Sequence, residues 1–452
     1  MIQSRREFLQ TSLSGLAYFS AASTVPLWLS KSAQAACTAG IPDDRILVIY
    51  QQAGGNDGLN TVIPYTDPKY YLPENEGGLR QNLRIDSGLQ LGDGLNALHP
   101  KLSLLKSWYD SGNVAIVQNV GYPNPSLSHF TGTDLWELGI SPSSSLSTSQ
   151  GWISRFFDNQ CSGAPPSNIE PLAMIANGLV KLPLTLSGSI NYFPPAVSSF
   201  DSYTIDAATP AVLGDHINTY IDSLNNLTVT VNSDLDFIQR TSNITQASVD
   251  DMAIASLIPL INQYPGNGAN TLPIPSNTMG PGLEMVSKIV RADQFNTKVF
   301  FVQQGGYDTH ANQFGLDGGT PDPANLGDHA RLLEEADASL NAFLSDMQAS
   351  GHLDRIVLMS FSEFGRRPQE NGSRGTDHGT ANSLFVMGGE GVIGGVDKNY
   401  FGAETGSYSR PFQALSGGVN KVVNGGTVKL KTGSTIIDTP QTISKNVRIE
   451  SE

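Results

Sequence analysis

Asp354-Arg-Ile-Val-Leu-Met-Ser-Phe-Ser-Glu-Phe-Gly-Arg-Arg367, continued at Gly375-Thr-Asp-His-Gly-Thr-Ala-Asn382, decides how this chain folds. Ile356 to Met359 is a short apolar, β-branched run of the kind that forms a buried strand. It ends in Ser and Phe and then presents Glu363. A Gly- and Asn-containing loop delivers Asp377 and His378, and a second apolar run, Leu384 to Met387, closes at Gly388-Gly389. In open α/β sheets ligands collect beyond the carboxyl ends of strands. Two acids and an imidazole at such an end are candidates for a metal or acid/base site.

Upstream, Asp328 to Asp346 spaces Ala330, Leu333, Ala336, Leu340 and Phe343 as one apolar helix face. Helix and strand complete a β-α-β unit that begins at the strand Thr297 to Gln303. Its crossover is expected to be right-handed. Gly305-Gly-Tyr-Asp-Thr-His310 follows that strand. Asp308 and His310, two apart, face one side of an extended segment. They either share a divalent metal or bond to each other in a turn. His329, in the first helical turn, either caps the helix or points into the site, with capping the first expectation.

The same order of strand, Gly-Gly and acid occurs near the start. Arg45 to Gln51 is an apolar strand suited to a parallel sheet. Ala53-Gly-Gly-Asn-Asp-Gly-Leu-Asn60 follows, placing Asp57 just past the strand end, although Asn-Asp-Gly is also a good turn. Without G-x-G-x-x-G or a Gly-Lys-Ser/Thr ending, this is not a nucleotide loop. Residues 64 to 95 read as a surface excursion. The run from Leu98 to Trp108 has helical spacing, with His99 capping or packing at its start. Val114 to Val117 is a further strand. It leads to Ser128-His129 before a helix through Trp136. Ser128 is either an N-cap or a nucleophile at a helix start. His129 is a ligand, a base or a packed ring.

The N-terminus is a targeting segment. Ser4-Arg-Arg-Glu-Phe-Leu9, the mildly apolar stretch Leu13 to Leu29 and Ala33-Gln34-Ala35 match a twin-arginine export signal. We expect a signal peptide over 1–35, use of the twin-arginine translocation machinery, and no stable membrane span after cleavage. The mature protein is then periplasmic or extracellular. Cys37 and Cys161 either pair, as suits an exported protein, or stay as thiols. A net charge of -15 and the lack of a basic stripe exclude nucleic acid as a partner. A small anionic ester remains compatible, because bound metal would invert the local charge.

From about 141 to 280 the chain is rich in Ser, Asn, Thr and Pro. Trp152 to Phe157, the series Val212, His216, Tyr220 and Leu224, and the series Ile254, Leu257 and Ile261 make it a mostly helical insertion. Met285 to Ala292 is a helix, and residues 396–452 form a small β tail. The expected fold class from these runs is α/β, with a mainly parallel sheet over 36–395.

Gly54 to Asn60, Ser128-His-Phe130 with Trp136, Gly305 to His310, Ser362-Glu-Phe-Gly-Arg366 and Gly375-Thr-Asp-His-Gly379 together resemble the exported DUF1501 family. That family is grouped with the alkaline phosphatase and sulfatase superfamily. The resemblance implies a three-layer α/β/α sandwich, an alkaline phosphatase-like core with metal ions, often two zincs, at the strand ends. It implies Asp57, Asp308, His310, Glu363, Asp377 and His378 as the metal set. It puts Ser128 near the nucleophile position, with Arg366 or Arg374 steadying an anionic transition state or serving as surface charge. Zinc is the first expectation, with manganese or calcium as alternatives. The activity implied is an exported metal-dependent hydrolase of phosphate or sulfate esters. The alternative is a non-catalytic metal-binding or surface interaction protein on the same fold. Phe364 stands where that superfamily usually carries an imidazole; His129, His329 or Asp377 are the residues that could compensate. No sulfatase-type cysteine nucleophile signature is present.

Overall fold

The computed structural model describes residues 45–142, 149–160, 174–179, 181–188, 196–203, 223, 226, 228, 239, 249–265, 279–295, 297–389, 395–396, 427–430 and 448–451. The fold has two units. One comprises Asp44–Ser147, Leu260–Ser287 and Lys298–Glu452; the other holds Thr148–Pro259 and Lys288–Thr297.

The first unit is built on β1 (Ile46–Gln52), β2 (Val114–Val120), β3 (Val299–Gln304), β4 (Ile356–Phe361) and β7 (Asn382–Gly388), in the order β2-β7-β4-β1-β3. Between β4 and β7 lies a hairpin of β5 (Arg366–Glu370) and β6 (Thr376–His378). β1 is parallel to both neighbours, with Ile49 opposite Met359 on one side and Phe301 on the other. β7 runs against β4 and β2. Four of the five strands therefore point one way, and the fold class is α/β with a mainly parallel sheet. In β1 every residue except Leu47 is buried, so both faces of the central strand are covered.

This topology explains how distant motifs meet. The carboxyl ends of β1, β2, β3 and β4 and the start of β7 share one rim. The segments 53–57, 121–129, 305–310, 362–366 and 376–378 all lie at those ends. Gly54 lets two of them touch. Its φ is +123°, and a Cβ there would lie 2.3 Å from the Asp308 backbone nitrogen. Only glycine allows the β1 and β3 loops to approach this closely.

Three helices of this unit bear on the site: α1 (Ser103–Asp110), α2 (His129–Leu138) and α3 (Asp328–Ala349). The expected apolar face of α3 is buried throughout, joined by Leu332, Glu335, Ser339 and Ala342. His329 is not a cap. It is 2% exposed, and its Nε2 meets Asn56 Oδ1 at 3.0 Å. α1 starts at Ser103 rather than Leu98. His99 precedes it, packed at 0% exposure, with Nδ1 accepting from Lys101 N.

Residues 64 to 95 are more than a surface excursion. Tyr70, Leu83, Ile85 and the whole of Arg80 are buried, and short strands Val62–Ile63, Leu89–Gln90 and Ala97–Leu98 pair beneath them. Polar, Pro-rich composition concealed a buried arginine whose partner is 23 residues upstream.

In the second unit the helix Trp152–Gln160 forms as expected, and strands Met174–Asn177 and Ala196–Val197 pair in parallel. Residues 249–256 are helical, but Met252 and Ala255 are the buried residues, while Ile254 and Leu257 are exposed. The helix read from Met285 begins at Met279. In the tail, Gly395–Val396, Thr427–Leu430 and Arg448–Ser451 form a parallel three-stranded sheet. The signal segment, Cys37, Cys161 and the series from Val212 to Leu224 lie outside the described residues.

Candidate metal centre

Four side chains from three rim segments converge on one point. Asp308 Oδ1 lies 3.4 Å from His129 Nε2, 3.3 Å from His310 Nε2 and 3.2 Å from His378 Nε2. His310 Nε2 and His378 Nε2 are 2.8 Å apart. His129, Asp308 and His378 present ligand atoms all within 4.8 Å of one another.

The protonation of these rings follows from their other nitrogens. His129 Nδ1 faces Glu363 Oε1 at 2.8 Å, His378 Nδ1 faces the Leu127 carbonyl at 2.8 Å, and His310 Nδ1 faces Asp377 Oδ1 at 3.3 Å. Carbonyls and carboxylates only accept, so a proton on each Nδ1 satisfies these three contacts and leaves the Nε2 lone pairs turned inward. Lone pairs 2.8 Å apart repel unless a proton or cation lies between them. His129 Nε2 is buried without a hydrogen bond, although its neighbours are polar. A tetrahedral zinc site with metal–ligand bonds near 2.1 Å has ligand edges of roughly 3.3 Å. The separations from Asp308 are close to that figure and the His310–His378 edge of 2.8 Å is shorter, so the donor set fits a divalent cation once those two rings part slightly.

Each ring is held from behind by an acceptor, as outer-shell carboxylates and carbonyls hold metal-ligating histidines. Glu363 is 2% exposed, accepts Gly54 N–H at 2.8 Å and orients His129. Asp377 accepts from Asn371 and orients His310; the Asn371 hydrogen bond, then burial in opposition, then His310 leave its carboxyl below the usual range. Phe364 stacks 4.6 Å from His378 and 4.9 Å from His129. His129 thus brings an imidazole over the ring that stands in the imidazole's place, whereas His329 faces Asn56.

Asp308 is the one carboxylate that faces the cluster. Burial pushes its pKa up, but the Arg366 hydrogen bond at 2.7 Å and the guanidinium charge hold it below the ordinary value. Arg366 has a fully buried side chain and donates to the carbonyls of Gly55, Thr376, Gly54 and Tyr307. It ties four rim segments together, and its N–H groups are spent on these carbonyls and Asp308, which argues against the transition-state role expected of it.

Asp57 is not brought to the cluster. Its carboxylate takes Arg80 bidentately at 2.6 and 3.0 Å, and Gln313 Nε2 and Leu59 N complete its partners. Burial would raise its pKa; the Arg80 charge and hydrogen bonds overcome that and lower it. The acid expected as a ligand is a structural anion. The residue that spacing could not supply is Arg80, because nothing nearby marks it as buried.

Ser128 is the N-cap residue of α2 by backbone geometry, yet its side chain makes no capping hydrogen bond. It is exposed and adjoins His129. A hydroxyl without a capping bond at a helix start, beside a candidate ligand, is available for chemistry.

Among solved structures, the chain is similar to an alkaline phosphatase superfamily protein from Vibrio parahaemolyticus, with 11% identity and a TM-score of 0.32 over 84% of this chain and 69% of that one. It is similar to the lipoteichoic acid synthase LtaP from Listeria monocytogenes, with 10% identity and a TM-score of 0.34 over 79% and 69%. It is also similar to alkaline phosphatase from the Antarctic bacterium TAB5, with 11% identity and a TM-score of 0.28 over 76% and 91%. No curated protein matches the chain. Residues 289–399, which carry Asp308, His310, Glu363, Asp377 and His378, match the family described as Protein of unknown function (DUF1501).

Proposed function

We propose that the protein is a metal-dependent hydrolase of phosphate or sulfate esters, exported by the twin-arginine route through its Arg5-Arg6 leader. One observation carries this reading: three Nε2 atoms converge on Asp308 Oδ1, each ring pinned through Nδ1. Three nitrogens and one oxygen favour zinc and other borderline cations over calcium, which prefers oxygen. Among the described residues no helix is long and apolar enough to cross a membrane.

A divalent cation bound there would lower the pKa of an attacking hydroxyl and offset charge on the ester oxygens. The residues of the chain do the rest. Glu363, Asp377 and the Leu127 carbonyl fix the rings. Phe364 keeps water from one flank. Arg366 keeps Asp308 ionised. Ser128 supplies a hydroxyl at the amino end of α2, where the backbone dipoles stabilise negative charge.

A second reading, a non-catalytic metal-binding protein, is favoured by the sealing of Asp57 under Arg80, which leaves one cation cluster among the described residues. Metal analysis of the purified mature protein, then a screen of aryl phosphates, phosphodiesters and aryl sulfates with zinc or manganese, separates the two. Hydrolysis requires about one cation per chain, and Ser128→Ala removes turnover while leaving metal bound. Bound metal without turnover on any ester supports the second reading. Protein without metal, even after incubation with zinc, refutes both.

A further inference from the structure

A cavity of about 280 Å³ opens between the long connection after β3 and the turn joining β5 to β6. Its lining includes Asn312, Phe314, Leu326, Asp328, Arg331 and Arg374. Two guanidiniums facing one hollow is notable in a chain of net charge -15. Arg331 gives Nη2 to Asp328, and Arg374 gives Nη2 to Asn312 Oδ1 at 2.8 Å. Each fork has five N–H donors, so these bonds leave capacity unused. Arg331 Nε is buried and has no hydrogen bond. A buried donor without an acceptor costs stability until one arrives.

The charge balance selects an anion. One carboxylate, Asp328, stands against two guanidiniums. The first amides of α3 are already committed, Asp328 N to Asn312 O and His329 N to Gln313 O. Recognition therefore falls on the arginine side chains, which suit the planar or tetrahedral oxygens of a carboxylate, sulfate or phosphate. The volume is near the lower end for ligand pockets. Phe314 and Leu326 supply apolar wall for a short organic body.

We propose that this cavity binds a small organic oxyanion, with Arg331 and Arg374 on its oxygens and Phe314 and Leu326 against its carbon body. None of its lining residues is His129, Asp308, His310 or His378, so its occupancy does not require the metal centre to be catalytic.

The test is calorimetric titration of the full chain with benzoate, phenyl phosphate and inorganic phosphate, in the wild type and in His378→Ala. The second protein disables the metal centre, the other place an anion could lodge. Binding is expected in both proteins, tighter for the aryl anions than for inorganic phosphate. Arg374→Gln and Arg331→Gln should each weaken it about tenfold or more, the scale of one charged hydrogen bond. Asp328→Asn, which frees Arg331, should tighten it. Arg374 is exposed, so its variant tests binding without a folding defect. The proposal is overturned if no anion binds, leaving water as the partner of Arg331. It is also overturned if His378→Ala alone abolishes binding, or if Arg374→Gln leaves affinity unchanged.

Discussion

Asp57→Asn and Asp308→Asn replace acids that follow the same Gly-Gly pattern, and the structure requires opposite consequences. Asp57 and Arg80 both have 0% side-chain exposure and are joined by two hydrogen bonds of 2.6 and 3.0 Å. Removing the negative charge leaves the guanidinium facing Asn60 Oδ1, Pro368 O and Arg367 O, all neutral. Breaking a buried pair from one side costs about 3–5 kcal/mol. A unit of this size loses about 2 °C of Tm per kcal/mol, so the shift is roughly 6–10 °C. Asp308 is 48% exposed, and its loss removes a ligand while the buried Arg366 keeps its four backbone carbonyls, so the cost to the core is smaller. Differential scanning calorimetry and metal analysis of the same samples give the answer. Asp57→Asn should melt early yet keep its cation when folded; Asp308→Asn should melt near the metal-free wild type and lose it. Adding Arg80→Met to Asp57→Asn should recover much of the deficit, since the stranded charge is gone. Because burial is overcome by Arg80 and the folded pKa of Asp57 is lowered, its stabilisation is present above the unfolded carboxyl pKa. It is lost as pH falls through the folded value. The reasoning fails if Asp57→Asn is within about 1 kcal/mol of wild type, or if it loses metal while still folded.

Two further outcomes follow from geometry and burial. Gly54→Ala would put a methyl 2.3 Å from Asp308 N and force the β3 loop away; weaker metal binding in a competition titration is expected, and unchanged affinity would contradict the close approach. Glu335 is buried, which raises its pKa to about 7, and Asp337 is raised by burial to about 6. Both bind protons more tightly folded than unfolded, so they lower stability as pH rises from about 4 to 7. Glu335→Gln should flatten that decline in chemical denaturation; an unaltered pH profile would show that its burial is relieved.

The parallel strands were legible because buried runs such as Ile46 to Tyr50 and Val299 to Val302 have no polar interruption. The rim followed from strand order and the glycines after each strand. The roles of the acids did not. Asp377 precedes His378 in sequence, yet its oxygen serves His310, 67 residues upstream. Glu363 serves His129, 234 residues away. Whether an acid binds a cation or steadies the ring that does depends on which nitrogen it faces. That is set by tertiary packing and leaves no mark in spacing. Arg80 was concealed for a related reason: a long polar loop reads as solvated unless its arginine is known to meet a buried carboxylate.

Charge accounts for the arrangement more fully than ligand geometry does. Around the convergence point stand Asp308, Glu363 and Asp377, with Arg366 as the permanent cation. The three rings are neutral when each keeps its proton on Nδ1. Three carboxylates against the one guanidinium bonded to them leave an excess of negative charge, which Arg367, acting on Asp377 through its charge, offsets only in part. Single protons could cancel it only by converting rings to imidazolium. Their added Nε2–H groups would then crowd Asp308 Oδ1, which already accepts from Arg366. One divalent cation removes the same excess, uses the inward lone pairs and gives the buried His129 Nε2 a partner. On the proposed reading the group of residues thus suits a divalent cation, and its remaining carboxylates act through the imidazoles they hold.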